Sequence, residues 1–258
     1  MLELKNISVD FSFKNSPFSA DKQILRAVDN VCLNVRDNEV LGLVGESGCG
    51  KTTLGKTAIR LITPTSGRII LDGADITEMG FGELKKYRRK MQIIFQDPIS
   101  SLNPRQTIYD ILDEPLKIHT SMNRAQRETE IKRIADCVGI AQNALKRYPH
   151  QFSGGQCQRI AIGRALSVKP KLIIADEPVS SLDVSIQAQI LNLMLELKNE
   201  FGLSYLFVSH DLAVINYIAD RVAVMYKGKI VEEGDCGDVV NNPQNEYTKT
   251  LLNAVMRL

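Results

Sequence analysis

Apolar and polar residues partly alternate from the start of the chain: "LELKNISVDFSF", beginning at Leu2, has the two-residue period of a half-buried strand. "ILRAVDNVCLNV", beginning at Ile24, predicts a second strand region of the same kind, and "NSPFSADKQ" between them reads as a loop. "EVLGLVG" is a short, wholly apolar run ending in glycine, as expected of a buried strand that feeds a turn. Helical spacing follows in "KTTLGKTAIRLI" and closes before "TPTSG"; "RIILDGADI" then predicts strand, turn and strand. "FGELKKYRRKM" is a basic amphipathic stretch that reads as a solvated helix face, and "QIIFQDP" is a strand stopped by proline. From there to Arg147 the pattern is mostly helical and polar, which marks 97–164 as a helical subdomain between two strand-rich halves. "KLIIADEP" and "LSYLFVSHD" are further apolar runs that end in polar residues, and "DRVAVMYKGKIVEEG" is a β-like stretch turning at Lys227 and Gly228.

Strands alternating with helices imply an α/β fold with a mainly parallel sheet, whose reactive groups gather at the strands' carboxyl ends. The length of 258 residues suits one large domain, 1–258, with an inserted subdomain. With 44% apolar and 24% charged residues the composition is that of a soluble globular protein. A net charge of +2 lacks the basic excess that a dedicated nucleic-acid binder gathers on one face, so no nucleic-acid partner is expected. The first residues lack the basic head and apolar run of a signal peptide, and no apolar stretch approaches the roughly 18 residues of a membrane span. The chain is therefore expected on the cytosolic side, reaching a membrane only through partners. Cys32, Cys49, Cys137, Cys157 and Cys236 are scattered without a CxxC pair, which reads as reduced thiols rather than disulfides or a zinc site.

The chemistry lies where the apolar runs stop. "GESGCGKT", Gly45 to Thr52, fits G-x-x-x-x-G-K-[ST] between an apolar strand and a helix. Its glycines let successive N–H groups turn toward phosphate oxygens, and the helix N-terminus adds a favourable dipole. Lys51 is expected to reach the β- and γ-phosphates, and the Thr52 hydroxyl to ligate Mg²⁺. "LIIADEP" ends in adjacent carboxylates, costly to bury without a cation, so Asp176 is expected to support the metal and Glu177 to act on water. "LFVSHD" places His210 on the same rim, either as a donor to the γ-phosphate or as a packing or surface residue; Asp211 reads as a helix N-cap. "IIFQDP" puts Gln96 at another strand end, able to ligate Mg²⁺ or hold water. In "FSGGQCQR", Ser153 and Gln156 have capping-box spacing, and Gly154 and Gly155 remove side chains that would block an anion. Locally this is an ordinary helix start. It becomes a second phosphate site if the phosphates belong to another subunit's nucleotide.

"GESGCGKT", "IFQDP", "FSGGQCQR", "LIIADEP", "SSLD" and "VSHD", in that order, resemble the ATPase subunits of ABC transporters, and the resemblance covers essentially the whole chain. It implies a P-loop NTPase with a RecA-like core and antiparallel β-subdomain (1–96 and 165–258) and an inserted α-helical subdomain (97–164) carrying "SGGQ". It implies ATP and Mg²⁺ as cofactors and two chains joined head to tail across two ATP molecules. Carried onto this sequence, Gly45, Glu46, Ser47, Gly48, Cys49, Gly50, Lys51, Thr52 and Thr53 surround the phosphates, while Thr52, Gln96 and Asp176 serve the metal. Glu177 becomes the catalytic carboxylate and His210 the switch residue, with Gln96 in the loop that senses the membrane partner. Ser153, Gly154, Gly155 and Gln156 face the other subunit's γ-phosphate, and Asp183 lies in the loop linking the two sites. Phe11, with Phe13 as the alternative, stacks on adenine.

"QDPISSLNPRQT", "RYPHQFSGGQ", "ADEPVSSLDVSIQAQILNLM" and "FGLSYLFVSHDLAVI" resemble more narrowly the dipeptide, oligopeptide and nickel importer branch. That likeness implies a paralogous second ATPase, two transmembrane permease subunits, an extracytoplasmic substrate-binding protein, and residence on the cytoplasmic face of the membrane. Nickel chelates, glutathione or antimicrobial peptides are alternative cargoes, and a non-transport role in translation or DNA maintenance is an alternative of another kind. Cys157 departs from the branch, standing where a basic or other polar residue is usual, and either tunes the interface or is accidental. The tail "PQNEYTKTLLNAVMRL" resembles the branch's Pro-x-x-x-Tyr-Thr ending without the cysteine-bearing extension of many relatives, so no iron–sulfur cluster is expected.

Overall fold

A computed structural model describes residues 1–14 and 22–255. The loop expected after the first strand lies mostly outside the described residues, at 15–21, as do the last three residues of the tail. The chain divides into two compact units, Met1–Leu84 with Tyr205–Leu258, and Lys85–Ser204.

In the first unit β1 (Leu2–Lys14) pairs antiparallel with β2 (Lys22–Val35). On its other edge β1 pairs with β4 (Ser66–Leu71), which in turn pairs with β5 (Ala74–Asp75). The alternation along β1 is only partial for a physical reason. Leu2 and Leu4 are buried, then Ile7 and Val9, so the inward phase shifts by one residue at the bulge between them. Asn6 takes up the extra residue with φ 53°, a left-handed conformation that asparagine tolerates, and Asn30 does the same on β2. The Asn6 amide nitrogen donates to Asn30 Oδ1 at 2.9 Å across the bulge.

The same unit holds the parallel strands. β3 (Val40–Val44) lies between β8 (Ser204–Ser209) and β9 (Arg221–Tyr226), parallel to both, and β10 (Lys229–Asp235) returns antiparallel to β9. Every residue of β3 and β8 is buried, which is why both read as continuous apolar runs. α1 (Lys51–Ala58) ends four residues before the helical pattern does. Arg60 adopts φ 57° there, and its guanidinium donates to the Ile76 carbonyl and the Thr63 hydroxyl, stopping the helix. α8 (Leu212–Ile218), α9 (Cys236–Asn241) and α10 (Glu246–Val255) complete the unit. α2 (Phe81–Arg88) falls at its edge and buries only Leu84, as a solvated helix should.

In the second unit β6 (Met91–Ile94) and β7 (Leu172–Asp176) pair in parallel. Around them lie α3 (Pro98–Ser101), α4 (Ile108–His119), α5 (Arg124–Cys137), α6 (Gly154–Leu166) and α7 (Val184–Phe201). Capping boxes start α4 at Thr107, α5 at Asn123 and α6 at Ser153. α6 crosses its neighbours closely: a side-chain carbon on Gly163 would lie 3.2 Å from Ile134 and 3.4 Å from Leu112 and Val138. No helix among the described residues is long and apolar enough to cross a membrane.

A buried ion cluster ties the amino ends of the first unit's parallel strands together. Arg221 donates to Glu39 at 2.9 Å and pairs with Glu233, while the Glu39 carboxylate also accepts from the Arg36 N–H at 2.6 Å. Replacing Arg221 by methionine leaves Glu39 buried with only the exposed Arg36 guanidinium, at 4.0 Å, as a cation. Arg221→Met is expected to cost about 3 kcal/mol in urea unfolding; a loss within error of zero contradicts a structural role for the cluster.

Candidate functional site

The phosphate loop follows directly from β3. Other backbone encloses it at Gly45 and Gly50, which dictates those two glycines, while Gly48 stands in open space at φ 82°. A side-chain carbon on Gly45 would lie 2.1 Å from the Met225 carbonyl oxygen, and one on Gly50, at φ 112°, would lie 2.2 Å from that of Ala27. The Gly228 N–H donates to the Cys49 carbonyl at 2.9 Å, fixing the loop's far side. The Lys51 ammonium is nearly buried and donates to Gly45 O at 2.7 Å and Glu46 O at 2.8 Å. Gly50 caps α1 without a side chain, and a helix start of this kind directs N–H groups toward an anion. Thr52 and Thr53 are half-buried in the first turn, while Glu46, Ser47 and Gly48 are exposed at the loop's tip. The buried Cys49 thiol is pushed above its ordinary pKa by desolvation, with Lys51 opposing the shift.

Two further predicted residues share this unit. In β8, Ser209 stands opposite Val44, so Gly45 and His210 leave adjacent parallel strands at the same level. His210 is exposed, and Asp211 caps α8 as the sequence predicts, accepting from the Ala213 N–H at 2.7 Å. Phe11 stands on β1 opposite Leu25, 40% exposed and available to an aromatic ligand; Phe13 stands opposite Gln23.

The second unit repeats the strand-end arrangement with carboxylates. Ile94 on β6 stands opposite Ala175 on β7, and the Gln96 amide donates to Glu177 Oε2 at 3.0 Å. With its nitrogen so engaged, the Gln96 side chain has its amide oxygen as acceptor. Asp176 is buried at the strand end, and Glu177, half-buried, adopts φ 48° as the chain leaves β7. A carboxylate held by an amide beside a buried one is suited to orienting water near a bound phosphate. Asp183 is exposed and begins α7 without a side-chain cap bond.

Ser153 and Gln156 form the predicted box: Ser153 Oγ accepts from the Gln156 N–H at 3.3 Å, and Gln156 Oε1 accepts from the Ser153 N–H at 3.0 Å. The two glycines behind them differ. A side-chain carbon on Gly154 would meet Leu182 at an ordinary 3.5 Å, whereas one on Gly155 would fall 2.5 Å from Ile186 on α7. Gly155 thus has a packing reason that the sequence pattern conceals. Cys157 does not reach a surface at all. It is buried, its thiol lies 3.5 Å from the Pro149 carbonyl, and burial raises its pKa.

One loop contact comes from outside the nucleotide motifs. The Glu46 N–H donates to the Tyr247 phenol oxygen at 3.0 Å. In the sequence this tyrosine stands in the Pro-x-x-x-Tyr-Thr ending, which carries no hint of a contact with the loop.

Two expectations follow. Gly155→Ala forces Ile186 to move and should cost about 1–3 kcal/mol, with Gly154→Ala much milder, as thermal unfolding of both will show. Near neutral pH, maleimide labelling read by mass spectrometry should modify exposed Cys32 first and leave Cys49, Cys157 and Cys236 protected, since all three are buried with raised pKa values.

Comparison with known proteins agrees with this geometry. The family described as ABC transporter matches residues 28–180. The oligopeptide transport ATP-binding protein AppF of Bacillus subtilis is 47% identical over 256 residues, 99% of this chain and 78% of that protein. The oligopeptide transport ATP-binding protein OppF of Salmonella typhimurium is 48% identical over 258 residues, 99% of this chain and 77% of that protein. Among solved structures, the dimeric post-hydrolysis state of the ATP-binding cassette MJ0796 bound to ADP and Pi superposes with a TM-score of 0.81. It is 29% identical, over 92% of this chain and 99% of that one. A backbone-lined phosphate loop, paired strand-end carboxylates and these relatives along nearly the full length make the chain an ATPase of the ABC transporter family.

Proposed function

We propose that the chain is the ATP-hydrolysing subunit of an oligopeptide importer, acting on the cytoplasmic face of the membrane as one half of a head-to-tail ATPase pair. The observation that carries this reading is the identity to oligopeptide transport ATP-binding proteins over 99% of the chain, with the phosphate loop in place. Partners are then a second ATPase, two permease subunits and an extracytoplasmic binding protein. Cargo recognition falls to the last two.

In the proposed cycle the N–H groups of the loop and α1 bind the triphosphate, Lys51 neutralises its β- and γ-oxygens, and Phe11 packs against adenine. Thr52, Gln96 and Asp176 offer hydroxyl, amide and carboxylate oxygens, a donor set suited to a hard cation such as Mg²⁺. That ion, when bound, offsets charge on the phosphate oxygens. The facing subunit's Ser153–Gln156 helix start then closes on the γ-phosphate, and Asp183 links the two sites. Glu177 orients the attacking water and takes its proton, with Gln96 holding the carboxylate in place and His210 donating to the γ-phosphate. Cleavage removes the bridge between the subunits, and the pair reopens.

Glu177→Gln keeps the shape of the side chain and removes its basicity. ATP binding should persist while phosphate release slows by about 100- to 10,000-fold, the range for losing a positioned general base. Normal turnover in that variant would refute the role given to Glu177.

A further inference from the structure

The contact between Tyr247 and the phosphate loop joins residues 201 positions apart. We propose that Tyr247 is a positioning residue of the nucleotide site: from α10 it sets the orientation of the Gly45–Glu46 peptide unit, and through that unit the place of the Lys51 ammonium. The inference rests on reading the loop as the ATP phosphate cradle.

A peptide unit is planar and trans, so its N–H and C=O point in opposite directions and fixing one fixes the other. In this unit the N–H belongs to Glu46 and donates to Tyr247, at 3.0 Å. The C=O belongs to Gly45 and accepts from Lys51, at 2.7 Å. Tyrosine and lysine therefore hold the two ends of one dipole. Turning that peptide over would remove one of the two carbonyls that aim Lys51, the other being that of Glu46 at 2.8 Å, and present it where the loop needs donors. The residue in question is glycine, whose backbone resists such a turn least of all, so an outside constraint has something to do here.

Tyr247 is itself firmly placed. Its ring lies 4.1 Å, centroid to centroid, from that of Tyr226 at the end of β9. Its own N–H donates to Asn245 Oδ1 at 2.9 Å, and the Glu232 carboxylate on β10 accepts from the N–H groups of Gln244 at 2.7 Å and Asn245 at 3.1 Å. β9 and β10 thus grip the loop twice, through the Gly228 N–H on Cys49 and through Tyr247 on Glu46. Burial raises the phenol's pKa, which keeps the contact neutral where an ATPase works.

The test uses the full chain. Tyr247→Phe keeps the ring against Tyr226 and deletes only the oxygen, Tyr226→Phe deletes an oxygen that does not touch the loop, and Lys51→Ala is the reference for a lost cradle. Removing one neutral hydrogen bond should raise both Kd and KM for MgATP by about two- to tenfold in Tyr247→Phe. kcat and the thermal midpoint should stay at wild-type values, and Tyr226→Phe should bind as wild type does. Unchanged ATP affinity in Tyr247→Phe overturns the proposal, as does a fall in kcat and thermal midpoint with KM unmoved, which would make the tyrosine merely structural. If instead Lys51→Ala binds ATP normally, it is the cradle reading itself that fails.

Discussion

A polyanion can be wrapped by backbone N–H groups only where no side chain stands between, and the reverse side of such a loop must be supported just as closely. Here the support is again backbone. The carbonyls of Met225 and Ala27 stand where side chains on Gly45 and Gly50 would have to be. The loop is therefore pressed between the end of β9 and the middle of β2, and the positions of both follow from it. The buried Arg221–Glu39–Glu233 cluster fixes the opposite end of β9 against the start of β3 and the end of β10. Within each unit strand register levels the ends from which the reactive groups leave, Val44 opposite Ser209 in the first and Ile94 opposite Ala175 in the second.

Much of this is visible in the residues. A fully apolar strand feeding G-x-x-x-x-G-K-T leaves little freedom, and β3, the loop and α1 appear where that pattern puts them. The capping boxes and the Asp211 cap are equally local, each readable from a polar residue and its spacing. What the pattern conceals depends on contacts distant in sequence. α1 stops early because Arg60 finds partners at Ile76 and Thr63. Gly155 is glycine because α7 passes close by, and Cys157 faces inward toward Pro149. Tyr247 is visible in the sequence only as the tyrosine of the Pro-x-x-x-Tyr-Thr ending, and its contact with the loop appears only when the fold brings the first turn of α10 there.

The helix start at Ser153 shows how far geometry goes without family membership. Three helices in its unit begin with capping boxes, and Ser153 differs from Thr107 and Asn123 mainly in the two glycines behind it. Nothing local distinguishes a cap from an anion site. What gives the second role to Ser153 is that an ABC ATPase, as proposed here, leaves part of each phosphate site to its neighbour. Membership of that family rests on relatives that match 99% of the chain.

A structure of the Glu177→Gln protein, held with MgATP and its partner subunits, measures this division of the site directly. The account predicts Ser153 Oγ at about 3 Å, hydrogen-bonding distance, from a γ-phosphate seated on the facing subunit's loop. A serine–glycine helix tip remote from any nucleotide would contradict it.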